Sequence, residues 1–119
     1  MNLSSLNLPN NIEMEKKLLS ALLLKDGEVI PKVAAILEPD DFYRAEHKII
    51  FRTITRVYFS GTPLDILAVE DKLQKTGELE RVNRRYLFSL IDYEFSTARA
   101  EYHAKTIRVC WQNRTNKKT

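Results

Sequence analysis

With 119 residues, 44% of them hydrophobic, the chain is sized for one compact domain, and a domain of this length buries roughly two thirds of its unfolded surface. The single Cys110 excludes an internal disulfide and no apolar run approaches the roughly 20 residues of a membrane span, so a soluble protein of the cytoplasm is expected. Net charge is +3 but uneven: residues 1–98 hold 13 Lys/Arg against 15 Asp/Glu and residues 99–119 hold 6 against 1, which disfavours tight DNA binding by the slightly acidic body.

Residues 1–8 lack any hydrophobic period and are expected to form a flexible lead. Asn10 followed by Glu13 has the spacing of a capping box, which places a helix start there. Ile12, Leu18, Leu19, Leu22 and Leu23 supply its apolar face, and Lys25-Asp26-Gly27 ends it. Val29, Ile30, Val33, Ile36 and Leu37 predict a short second helix in which Pro31 is tolerable because it falls in the first turn. Pro39-Asp40-Asp41 reads as a turn. The third helix is expected from about Arg44 to Ser60, with Ile50, Ile54, Val57 and Tyr58 inward, and Gly61 stops it. Thr62-Pro63 forces an extended step and Asp65 is a natural cap for a fourth helix carrying Ile66, Val69 and Leu73 up to Gly77.

Tyr86, Leu87, Leu90 and Ile91 make a short fifth helix. Ser96 or Thr97 then caps a sixth, in which Ala100, Ala104, Ile107 and Trp111 share one stripe. After Trp111 the stripe stops, since residues 112–119 contain no apolar side chain. No stretch alternates with period two long enough to argue a sheet, so the expected class is all-α, a compact bundle of about six helices. The division that follows is a lead over 1–8, a helical domain over 9–112 and a polar basic tail over 113–119.

The chemistry available to this sequence is limited. Gly27, Gly61 and Gly77 are the only glycines, each isolated at a helix end, so a phosphate-cradling loop cannot be built and no cofactor is expected in this chain. His47, His103 and Cys110 with scattered acids do not form a metal set, and no metal is expected. His47 near Asp40, Asp41 and Glu46 invites an acid–base reading, yet Asp in such a turn ordinarily caps, and His47 reads as a half-buried hydrogen-bonding residue. Phe42, Tyr43, Phe51, Tyr58 and Phe59 fall at helical spacing and read as core rather than a base-stacking platform. No catalytic residue is assigned. Trp111 either folds back on the head or meets a partner, and Ile107, Arg108 and Trp111 are the candidate partner interface. The basic run Arg108, Arg114, Lys117 and Lys118 reads as a solvated helix end.

Several ordered blocks resemble the N-terminal domain of bacterial replicative DNA helicases of the DnaB family. Pro9, Ile12, Glu15 and Leu19-Ser20-Ala21-Leu22-Leu23 resemble its opening helix, although Ser20 stands where Gly is common and Met14 where Ala is common. Asp41-Phe42-Tyr43-Arg44 with His47 and Ile50-Phe51 is the most specific block. Gly61-Thr62-Pro63-Leu64-Asp65, Gly77-Glu78-Leu79-Glu80-Arg81-Val82, Tyr86-Leu87 and Ser96-Thr97-Ala98 with Tyr102, Ala104 and Ile107 follow in order, so that the likeness covers roughly residues 9–108. Asn83-Arg84 departs from a Gly pair common in the family. In the family the last helix continues into a helical hairpin, a linker and an ATPase domain, whereas here the sequence turns polar and ends at Thr119.

The resemblance implies an interaction and oligomerisation domain of the primosome, supporting a hexameric collar and docking primase or a helicase loader, without catalysis of its own. ATP, Mg and DNA would be bound by the motor domain, which this sequence does not contain, and no membrane partner is implied. Two alternatives stand beside it: the helicase-binding domain of bacterial primase, which resembles it in fold, and a small helical DNA-binding protein using the basic tail, whose affinity would be strongly salt-dependent.

Overall fold

In a computed structural model, described here for residues 11–24, 29–92 and 100–116, the chain forms seven α-helices and no strand among the described residues. These are α1 (Ile12–Leu24), α2 (Val29–Ala34), α3 (Ala45–Phe59), α4 (Ile66–Thr76), α5 (Leu79–Val82), α6 (Arg84–Ser89) and α7 (Ala100–Asn116). Two 3-10 turns, Pro39–Asp41 and Leu90–Asp92, connect them. The all-α class holds. The helix missed in sequence is α5, a single turn of four residues, too short to express a 3.6-residue period.

Helix starts follow local chemistry. At α1 the cap is Asn11, whose Oδ1 accepts from the Met14 N–H at 3.1 Å, one residue later than the Asn10–Glu13 spacing suggested. Asn10 itself, the stop at 25–27 and the Ser96/Thr97 cap lie outside the described residues. Asp65 caps α4 by accepting from the Ala68 N–H at 2.8 Å, and Gly77 ends that helix in the left-handed conformation at φ 79°. Asn83 also adopts a positive φ, 77°, while its side chain accepts from the N–H groups of Arg85 and Tyr86 to start α6. That position suits glycine, and Asn is among the side chains that tolerate it best.

The core is one cluster. Leu18, Leu19 and Leu22 of α1, Ile50, Phe51 and Ile54 of α3, Val69 and Leu73 of α4, and Ala100, Ala104 and Ile107 of α7 are all at most 1% exposed within it. Of the side chains expected inward on α3, Ile50, Ile54 and Val57 are buried and Tyr58 is half-buried. The aromatic set divides: Phe42 and Phe51 are buried with ring centroids 5.0 Å apart, whereas Tyr43 and Phe59 are 44% and 61% exposed. Phe59 is the last residue of α3, where the stripe turns to solvent, so core packing describes only part of that set.

Candidate functional site

The Asp41–His47 block, the most specific stretch of the sequence, carries the polar framework of the molecule. His47 lies in the first turn of α3 and is fully buried rather than half-buried, because the Phe42 ring meets its face edge-on and the Tyr86 ring stacks on it at 5.8 Å. Its Nδ1 lies 2.7 Å from Oε1 of Glu15 on α1, and its Nε2 lies 2.6 Å from the Tyr86 hydroxyl on α6. An ionised carboxylate only accepts, so Nδ1 donates to Glu15, and in the neutral ring Nε2 then accepts from the Tyr86 O–H. The second oxygen of Glu15 accepts from the Tyr43 N–H at 2.8 Å. Glu15, 1% exposed, is thereby shared between a side chain and a backbone amide.

Carboxylate, imidazole and hydroxyl in line have the connectivity of a general-base relay. Both ring nitrogens of His47 are already engaged, however, and the ring is shut off from solvent. A base needs access to a substrate proton, so this line of groups functions as a tie between α1, α3 and α6.

A second knot lies one turn of chain away. Asp41, 1% exposed, accepts from the Glu38 N–H through Oδ2 at 2.8 Å, the local capping role expected of it. It also reaches across 67 residues: Arg108 of α7 donates to Oδ1 at 2.7 Å, and Arg114 donates to the Asp41 carbonyl at 2.9 Å. The Arg114 guanidinium lies 5.2 Å from the Tyr43 ring and that of Arg108 lies 4.6 Å from the Trp111 ring. Nothing in the linear pattern singled out Glu15 as a ligand of His47, or Asp41 as the receiver of two arginines.

The three residues of the candidate interface therefore sit differently. Ile107 is 1% exposed in the core, Arg108 is engaged by Asp41, and Trp111 is half-buried beneath the Arg108 guanidinium. Helix α7 runs on to Asn116, past the expected domain boundary at 112, and Arg114 of the expected tail is turned back onto the head. Tyr102 and Val109, 60% and 51% exposed, lie seven residues apart on one outward side of α7.

Elsewhere the electrostatics are those of a surface. Arg44 bonds Glu46, raising the guanidinium pKa, and stands 5.1 Å from the Tyr86 ring. The Glu46 carboxyl is held below its usual range, first by a backbone N–H at its own position and then by Arg44. Burial pushes the half-buried Cys110 thiol up. Arg52 pairs with Glu78 and Arg84 with Glu70, tying α3 and α6 to the α4 region. Among the described residues no group of three His, Cys, Asp or Glu side chains is placed to hold a metal, and no helix is long and apolar enough to cross a membrane.

The sequence profile of the DnaB-like helicase N terminal domain matches residues 7–109. Over 100 residues the chain is 39% identical to the replicative DNA helicase DnaB of Rhodothermus marinus, covering 83% of this chain and 10% of that protein. It is 36% identical over 100 residues to the replicative DNA helicase DnaB of Geobacillus stearothermophilus, covering 83% of this chain and 22% of that one. The chain thus spans about a fifth or less of the length of these relatives. The crystal structure of the N-terminal domain of DnaB helicase from Mycobacterium tuberculosis superimposes with a TM-score of 0.84 at 30% identity, covering 91% of this chain and 75% of that one.

Proposed function

The chain belongs to the family of DnaB-like helicase N-terminal domains, and from that premise we propose that it is an interaction and oligomerisation module: it supports the collar of a hexameric replicative helicase and docks primase or a helicase loader. The observation that supports this best is the match of nearly the whole fold to a solved DnaB N-terminal domain. The chain itself carries no catalysis in this reading. Hydrolysis of ATP with Mg, and unwinding of DNA, belong to a motor domain of the kind found in replicative helicases. The outer half of α7 is the proposed meeting surface, at Arg108 and Trp111, which are half-buried along the edge where the helix meets the head, next to the enclosed Ile107.

The test is physical association. Mixed with the primase encoded by the same genome, the chain is expected to co-elute with it by size exclusion with light scattering, and to show no heat of binding with ATP and Mg by calorimetry. A chain that ignores primase and loader alike, and stays monomeric when fused to the motor domain of a replicative helicase, would overturn the reading. Alone, the chain is expected to self-associate weakly, because the apolar surface α7 exposes falls far short of the roughly 1,200 Å² of a stable interface. Sedimentation of the chain against Trp111→Ala checks this: a tight dimer that survives the substitution would move the interface off α7.

A further inference from the structure

We propose that Asp41 is an electrostatic latch that fixes the direction in which α7 leaves the head, and that screening or removing its charge frees the outer half of α7 while the head stays folded. The two halves of α7 are held by different forces. Ala100, Ala104 and Ile107 anchor the inner half in the core, each at most 1% exposed. Beyond Ile107 no described side chain is fully buried.

What holds the outer half is polar. Arg108 reaches Asp41 Oδ1, Arg114 reaches the Asp41 carbonyl, and Arg114 lies against the Tyr43 ring. One acidic residue thus receives two cations from one helix, at a 3-10 turn that Asp41 itself closes through the Glu38 N–H. The latch is asymmetric in burial: the Asp41 side chain is 1% exposed and that of Arg108 is 37% exposed. On release Arg108 turns to water and Asp41 keeps the Glu38 N–H, so the contact opens from the Arg108 side, where the exposed guanidinium is within reach of screening by salt. The position of Arg114 in the last turn of α7 adds to the effect, since a cation there offsets the negative end of the helix dipole. If the chain continues beyond Thr119 along the course of α7, the latch sets where that continuation points.

Trp111 is the only tryptophan of the chain and lies under Arg108, so its fluorescence reads the latch directly. Emission wavelength and acrylamide quenching are measured on the whole chain as NaCl rises from about 0.1 M to about 1 M, over which the Debye length falls from roughly 10 Å to roughly 3 Å. The expected result is a red shift and rising quenching with salt, and the salt-saturated values already at low salt in Asp41→Asn. Amide exchange should accelerate over residues 109–116 and remain protected over α1 and α3. Because Asp41→Asn also touches the turn, the double variant Arg108→Gln with Arg114→Gln keeps the turn intact and should show the same shift. Glu70→Gln, which removes an exposed ion pair elsewhere, should leave Trp111 unchanged. Emission and quenching that do not respond to salt or to the double variant, an equal response to Glu70→Gln, or release only together with loss of the head's helicity would each overturn the latch.

Discussion

Glu15 and Asp41 are two carboxylates of equal burial, yet they close two seams of different kind. Glu15 meets His47, which is buried as deeply as itself, so the seam between α1, α3 and α6 is sealed on both sides. Asp41 meets Arg108, whose side chain remains more than a third exposed, so the seam between the turn and α7 has one side in water. Equal burial of the carboxylate thus leaves the two ties unequal at the other end: on opening, both groups of the closed seam lack a replacement partner, whereas in the open seam only Asp41 does. A histidine among Phe42, Tyr86 and the core has no solvent to turn to, and an arginine at the surface does.

The sharpest break of this comparison is His47→Leu. It strands the Glu15 carboxyl on its imidazole side in a site closed to solvent, and losing one partner of a buried pair costs about 3–5 kcal/mol. Urea denaturation should show the midpoint falling accordingly. A variant as stable as the parent would mean that the inner tie is dispensable and that Glu15 finds another partner. Ile54→Ala supplies the apolar benchmark for the same region: Ile54 is 0% exposed in the centre of α3, and the cavity left should cost about 2–5 kcal/mol. If the His47 variant falls well below this benchmark, the seam is held by packing and the polar tie is incidental.

Arg108→Ala tests the open seam. It removes a charge-assisted bond of the kind worth about 1.5–3 kcal/mol and leaves the buried Asp41 carboxylate only its Glu38 N–H, so a loss of about 1.5–3 kcal/mol is expected in the same denaturation assay. A cost equal to that of His47→Leu would erase the distinction between the seams. Tyr86→Phe is milder still within the closed seam, since it deletes only the hydroxyl on Nε2 and keeps the stacked ring. About 0.5–1.5 kcal/mol is expected from thermal melts, and a larger value would show that the hydroxyl secures the His47 orientation.

The division between what the sequence revealed and what it concealed follows the same physical line. Helices α3 and α4 were legible because caps, stops and hydrophobic period are local: Asp65 caps three residues ahead and Gly77 ends α4 where no side chain competes for a positive φ. The seams were not legible because their partners are 28, 32, 39 and 67 residues apart. No spacing rule relates Glu15 to His47 or Asp41 to Arg108. The resemblance did mark Glu15, Asp41, His47 and Tyr86, while leaving unsaid that three of them form one hydrogen-bonded line. The interface guess on α7 showed the same limit. Period alone placed Ile107 and Trp111 on one stripe, but only the packing shows that the first is enclosed by the head and the second stands half in solvent.

Cys110 offers the finest probe of the open seam, because it is half-buried on the outer half of α7, one residue before Trp111. Burial of the thiol disfavours the thiolate and raises its folded pKa above that of an unfolded cysteine, about 8.5. The sign follows: the protonated form is preferred in the folded state, so this group adds stability that is fully present below the unfolded value and is lost as pH rises through the folded one. The reactive species is the thiolate, so alkylation by iodoacetamide near pH 8.5 should be slower than in the urea-unfolded chain. Substitutions at the two seams should then separate. Arg108→Ala should raise the labelling rate toward the unfolded value by loosening α7 locally, whereas Tyr86→Phe, which weakens the closed seam without touching α7, should leave it near the parent rate. Equal acceleration by both would show that Cys110 is exposed only when the whole head opens, and that the two seams break as one.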